Sequence, residues 1–184
     1  MAVDRPTRYL SDDAEAALKQ VSTATLTSQL LKRGFRNTFL TGVEPLRPDL
    51  RMVGYAFTLR FVPMREDLDH SGPIDNSTSA QRIAIESVGP SDVLVIDARG
   101  DLNAGTIGDI LATRMKVRGA VGVVTDGALR DRKGMEQTGL PSYAGATHAS
   151  ASPHRHHPAD INRPIGCAGV LVMPGDVVVG DADG

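Results

Sequence analysis

The chain has one cysteine, Cys167, no tryptophan, and aromatic residues at only 4% of its 184 positions. A single cysteine excludes an intrachain disulfide and suits a reducing compartment. Also lacking is any apolar run near the ~20 residues that span a bilayer. The opening MAVDRPTRYLSDDAEAALKQ holds no apolar segment of the kind a signal peptide needs. An excess of one charge is missing too: 20 Lys plus Arg face 22 Asp plus Glu, with no basic block to follow a phosphate backbone. These absences argue against nucleic acid and membrane as partners and describe a soluble, cytoplasmic protein.

What is present is hydrophobic content of 41%, enough to bury the core of one compact domain over residues 1–184. Neither an internal repeat nor a low-complexity tract interrupts it. Cys167, within PIGCAGVLVM, reads as a small buried residue, because none of the five histidines lies near it in sequence to activate a nucleophile.

Two amphipathic helices are expected within about residues 11–34. SDDAEAALKQV has Ser11 as N-cap; TATLTSQLLKRG has Leu26, Leu30 and Leu31 on one face and Gly34 as its stop. The core begins near residue 50. A strand over about Met52–Val62 ends at Pro63, a polar surface loop fills Arg65–Ser77, and TSAQRIAIESV is helical. Then VLVID (93–97) reads as a strand, DILATRMKVRG as a helix with Ile110, Leu111 and Met115 on one face, and AVGVVT (120–125) as another strand. Strand, helix, strand is a crossover unit with a parallel pair, so the fold class is α/β. Thr125, Asp126 and Gly127 read as the turn closing the second strand, with Asp126 a turn-stabilising side chain. A short helix from about Asp131 and a strand at LPSYAGA follow. THASASPHRHHPADINRP reads as a loop, and the end as two β-rich runs joined by Pro174, Gly175 and Asp176.

A helix starting at Gly108 or Asp109 aims free N–H groups and a positive dipole end into the loop beyond VLVID, a ready place for a carboxylate. An acid in a first helical turn is ordinary, and for Asp109 alone that reading is the better one. The crossover, however, returns Arg130 and Asp131 to the same sheet edge. Two carboxylates and a guanidinium then share one crevice. Oxygen ligands completed by water suit Mg²⁺ or Mn²⁺, with Asp131 as the candidate ligand, and an adjacent arginine suits a second substrate oxygen or an enolate. Read alone, Arg130–Asp131 is better taken as an ordinary ion pair capping a short helix.

Asp109, twenty intervening residues, then Arg130 and Asp131 resembles the D-x20-R-D signature of the metal-dependent pyruvate aldolases of the 4-hydroxy-4-methyl-2-oxoglutarate aldolase family. These share their fold with the regulator of ribonuclease E activity A (RraA-like) proteins. STATLTSQLLKRG, VGYAFTLR, GDILATRMKVRGAVGVVTDGALRD, LPSYA and INRPIGCAGVLVMPGDVVVGDADG extend the resemblance from about residue 22 to the end. It implies a layered α-β-β-α sandwich related to swivelling phosphohistidine-type domains, assembled as a homotrimer or homohexamer with sites at subunit interfaces. It also implies roles. Asp131 would hold Mg²⁺ or Mn²⁺, Asp109 would reach it through water and assist proton transfer, and Arg130 would face the keto oxygen. Backbone N–H groups at Ile110 and Leu111, next to Gly108, would hold the carboxylate of pyruvate.

The activity implied is class II aldol cleavage of a 4-hydroxy-2-oxo acid to pyruvate plus an oxo compound, with decarboxylation of oxaloacetate through the same enolate. The alternative is a non-catalytic regulator of ribonuclease E-type activity acting by protein contact. Two departures stand out. The family's C-terminal tail, with an acid for a neighbouring site, is expected beyond the final Gly184. The segment with His148, His154, His156 and His157 is longer than the family pattern; without helical i, i+4 spacing it reads as a solvated loop bordering the pocket rather than a zinc site.

Overall fold

The computed structural model describes residues 9–69 and 74–184. Helix α1 (Asp12–Leu18) begins where Ser11 Oγ accepts from the Ala14 N–H, as expected. Helix α2 (Thr23–Lys32) begins where Ser22 Oγ accepts from Thr25. Each cap satisfies an N–H that the helix cannot pair internally. The buried stripe of α2 is narrower than its leucines suggest: Leu26 and Leu30 are partly buried, and Leu31 is exposed.

The sheet is built from β1 (Glu44–Pro45), β2 (Met52–Pro63), β3 (Asp92–Asp97), β4 (Gly122–Leu129), β5 (Ser142–Thr147), β6 (His156–Ile161) and β9 (Val177–Gly180). Its order is β1-β5-β4-β3-β2-β6, with β9 also on β2. Strands β2 to β5 run parallel, while β1, β6 and β9 are antiparallel to their partners. Every residue of β3 is buried, which is what an unalternating apolar run in a central parallel strand provides for.

Helices α3 (Ala80–Ser87), α4 (Asp109–Val117) and α5 (Arg132–Thr138) cover one face, over a core that includes Phe57, Leu59, Ile85, Leu94, Ile96 and Met115. On the other face the hairpin β7 (Ile165–Cys167) and β8 (Val170–Val172) packs over Met52, Ala56, Val93, Val95 and Val124. The layered α/β order expected from sequence is present, with the second β-layer reduced to two strands. The β3-α4-β4 crossover also stands as read. Cys167 is fully buried, as expected.

Three readings need correction. The strand at 120–125 does not turn at Thr125–Gly127 but continues to Leu129. A shift of register against β5 between Thr125 and Ala128 absorbs the polar pair, and Asp126 serves a different turn by accepting from Ala98 and Gly100 N–H at 2.6 and 3.0 Å. The histidine-rich segment is not simply a solvated loop. After a 3-10 turn at Ser152–His154 it becomes edge strand β6, and His156 is 1% exposed, tilted against Phe61 and bonded to the Ala104 carbonyl. Ile110 does not share the core face of α4 but is 78% exposed, because the first turn overhangs a cleft and the helix meets the core through Ala112 and Met115. Arg65–Asp69 and Ile74–Ser77 lie outside helices and strands as expected, and residues 70–73 of that loop fall outside the described residues.

Candidate active site

The site forms where the segment before α4 crosses the end of β4. Thr106 N–H donates to the Ala128 carbonyl at 2.7 Å, Arg130 N–H donates to Ile107 at 3.0 Å, and Gly105 N–H donates to Ser150 at 2.9 Å. These bonds lock residues 105–107 between β4 and the 148–151 strap, so α4 must begin beside Arg130. Asp109, Arg130 and Asp131 thereby line one cavity.

Glycine makes the approach possible. A Cβ at Gly105 would lie 2.8 Å from Arg130 Cβ, one at Gly108 would overlap Asp131 Oδ2, and one at Gly134 would overlap Asp109 Oδ2. Three glycines therefore surround the three charged residues.

Asp131 occupies the N-cap position of α5, yet its side chain caps nothing and its backbone is left-handed, at φ 58° and ψ 45°. An ordinary N-cap is extended and its oxygen accepts from the first turn. A left-handed conformation costs a non-glycine residue about 1–2 kcal/mol, so this one is held by its surroundings. Its Oδ2 lies 3.3 Å from Arg130 Nε, in ion-pair range but out of line for a hydrogen bond. The helix-cap reading of Arg130–Asp131 is thereby set aside.

The cavity holds about 260 Å³ and is also lined by Gln81, Arg82, Leu111, Ser152 and Pro153. It shares Ile74, Gln81, Ser152 and Pro153 with a neighbouring space of about 510 Å³ that reaches His156 and His157. The 150–157 segment thus borders the cleft through Ser152 and Pro153. A separate cavity of about 510 Å³ lies on the β8–β9 side, among Leu40, Val43, Met52 and Val178; it gathers no comparable set of paired charges.

The donors suit a hard divalent cation. Asp109 and Asp131 offer oxygen, and among the described residues no thiolate or imidazole lines the cavity. Among the described residues no three His, Cys, Asp or Glu side chains are grouped to share an ion. A cation here would have one or two protein carboxylates and otherwise water or ligand oxygens, the habit of Mg²⁺. The Ile110 N–H is not free, since it donates to Asp109 Oδ1 at 2.8 Å; Gly108 and Leu111 line the cavity on either side.

Other titratable groups have structural roles. Burial pushes the Cys167 thiol well above its ordinary range, and its Sγ donates to the Ile96 carbonyl. Burial lowers the pKa of His156, outweighing its bond to the Ala104 carbonyl. His157 Nδ1 lies 2.7 Å from Asp69 Oδ1. Sequence reasoning missed Gln81 and Arg82. Their only signal is two adjacent polar residues just ahead of the Ile83–Ala84–Ile85 run of the helix.

A family model described as RraA-like, aldolase/RraA, matches residues 14–184. The chain is similar to a Halalkalibacterium halodurans protein named "Putative 4-hydroxy-4-methyl-2-oxoglutarate aldolase", 41% identical over 142 residues, 77% of this chain and 61% of that one. It is 25% identical over 147 residues to Legionella pneumophila protein DlpA, covering 79% of this chain and 22% of DlpA. The chain thus spans 61% and 22% of the lengths of these two curated relatives. Among solved structures it resembles Streptomyces coelicolor RraAS2, described as an unusual member of the RNase ES inhibitor RraA family. The TM-score is 0.85 at 34% identity, over 97% of this chain and 85% of that one. It also resembles the RNA-processing inhibitor RraA from Thermus thermophilis, with a TM-score of 0.64 at 26% identity, over 86% of this chain and 88% of that one.

Proposed function

The chain belongs to the RraA-like family, and from that premise we propose that it is a lyase: a divalent-metal-dependent class II aldolase that cleaves a 4-hydroxy-2-oxo acid to pyruvate and an oxo compound. One observation carries the reading. Asp131 is held in a left-handed conformation, caps nothing, and sets its carboxylate beside Arg130 at the start of α4. The name of the Halalkalibacterium relative points to the same chemistry.

In this reading Asp131 would hold Mg²⁺ or Mn²⁺, and Asp109 would act on it through water. When bound, the cation supplies Lewis-acid polarisation of the substrate's 2-oxo and carboxylate oxygens. The chain's own groups do the rest. Arg130, whose buried Nε has no hydrogen-bond partner among the described residues, donates to the 2-oxo oxygen as negative charge gathers there. The C3–C4 bond breaks, its electron pair forms the enolate of pyruvate, and the proton of the C4 hydroxyl leaves through water to Asp109. C3 is then protonated to give pyruvate. Gly108 and Leu111, at the start of α4, border the position of the pyruvate carboxylate, where the positive end of the helix favours an anion. Ile110 keeps its N–H for this carboxylate only if Asp109 releases it. Loss of CO₂ from oxaloacetate passes through the same enolate and belongs to the same proposal, as does a trimeric or hexameric assembly with clefts between subunits.

The test is to add Mg²⁺ with oxaloacetate or a 4-hydroxy-2-oxo acid and follow pyruvate through a coupled assay. Pyruvate release that stops on chelation supports the lyase; none in either assay overturns it. The second reading, a regulator that binds a ribonuclease, is favoured by the likeness to RraAS2. Inhibition of a purified RNase E-type enzyme without pyruvate release would establish it instead.

A further inference from the structure

Among the described residues Arg82 has no partner where one would be expected. On α3 its natural ion-pair partner is Glu86, one turn along, but Glu86 is committed to Arg114 at 2.7 Å and Arg118 at 3.4 Å. Among the described residues Arg82 forms no ion pair, and its buried Nε has no hydrogen-bond partner. Its position is fixed all the same: the neighbouring Gln81 side-chain amide donates to the Thr106 carbonyl, tying α3 to the segment that carries Asp109. Arg82 lines the same 260 Å³ cavity as Arg130, the other arginine with a buried, unsatisfied Nε. A buried guanidinium donor left unmatched is destabilising, so its place in a cleft points to a ligand that supplies the acceptor.

The charges say what that ligand carries. Asp131 pairs with Arg130 and Asp109 accepts from Ile110 N–H, so among the described residues of the cavity Arg82 is the cation left without a carboxylate partner. The volume falls below the ~300–1,000 Å³ of drug-sized pockets and suits a small organic acid. We propose that Arg82 is the specificity-determining residue for the far end of the substrate, where its planar fork takes a second carboxylate while the 2-oxo end lies against Arg130. As a statement about substrate this rests on the lyase reading above. The binding of a dianion by Arg82 does not.

The test uses metal-stripped full chain and two acids of equal length, succinate with a carboxylate at each end and butyrate with one, titrated by calorimetry. Wild type should bind succinate at least about tenfold tighter than butyrate, the scale of one charge-assisted pair. Arg82→Gln should bring the two within about twofold, and Arg82→Lys should keep part of the difference. Equal binding of both acids by wild type, no binding of succinate, or an undiminished succinate preference in Arg82→Gln overturns the proposal. Thermal melting accompanies each variant, and if Arg82→Gln is unfolded the comparison passes to Arg82→Lys. Pyruvate release by wild type is scored separately: its absence beside an Arg82-dependent succinate preference sinks the lyase reading and leaves this one standing.

Discussion

The space a Cβ would need at Gly108 is already filled by Oδ2 of Asp131. The start of α4 and the carboxylate that follows β4 thus meet without space for a further methyl group. Gly108→Ala should push the Asp131 carboxylate aside, because the backbone leading into Gly108 is pinned by the bonds of residues 105–107. We expect a stability loss of about 1–3 kcal/mol and a fall in metal-dependent turnover of about a hundredfold, since small misplacements at a reacting centre carry that penalty. Denaturant melts and the coupled pyruvate assay check the two parts. Wild-type turnover in a well-folded Gly108→Ala protein would contradict the contact's importance.

Asp131→Asn keeps the size of the side chain and tolerates the left-handed backbone, but removes the charge. The melting temperature without metal should stay near wild type, while the upward shift produced by Mg²⁺ disappears. Turnover should fall by about three orders of magnitude or more, Arg130→Ala by about two to three, and Asp109→Ala least. A Mg²⁺-induced shift that survives in Asp131→Asn would remove Asp131 from the role of ligand.

The parts of the site carried by strict pattern were legible in the sequence. VLVID and AVGVVT are short apolar runs bracketing an amphipathic helix, so the parallel pair and the meeting of Asp109 with Arg130 and Asp131 follow from topology. Misreading set in where polar residues are satisfied by distant partners. Thr125, Asp126 and Gly127 look like a turn, but Asp126 bonds to the chain after β3 and the strand runs on. His156–Ile161 contains Pro158 and Asp160, which disfavour a strand, yet on a sheet edge proline is tolerated and Asp160 pairs across to Arg60. Arg82 was invisible for a related reason: its helical neighbour Glu86 promises a pair that only the tertiary structure withdraws.

Asp97 sets up a pH effect of opposite sign to the usual carboxylate. Burial raises its pKa, with Asp126 nearby adding to the shift, while bonds from Arg99 and Gly166 N–H pull the other way. A carboxyl whose folded pKa exceeds its unfolded one lends stability below the unfolded value, near pH 3.8, and loses it as pH rises through the folded value. Asp97→Asn should therefore raise the melting temperature at pH 7 and have a smaller effect at pH 3. A destabilised Asp97→Asn protein at pH 7 would show that the charged form is needed.

His156→Ala should destabilise by about 2–4 kcal/mol, because it removes a fully buried ring packed on Phe61 and leaves the Ala104 carbonyl without its donor. The cleft wall at Ser152 and Pro153 leans on this anchor, so substrate affinity should weaken as well. His154→Ala, at an exposed position, is the control and should be silent in both measurements.

Strand β2 carries two antiparallel partners end to end along the edge away from β3: β9 along residues 52–55 and β6 along residues 59–63. The cleft wall and the C-terminal strand are therefore hung on one rail without touching each other's ladder. Opening events on the two halves need not be coupled, and hydrogen exchange should sort the amides into two kinetic classes. Those bonded to β6 should follow the local breathing of the cleft and slow on ligand binding; those bonded to β9 should keep the same protection whether the cleft is filled or empty.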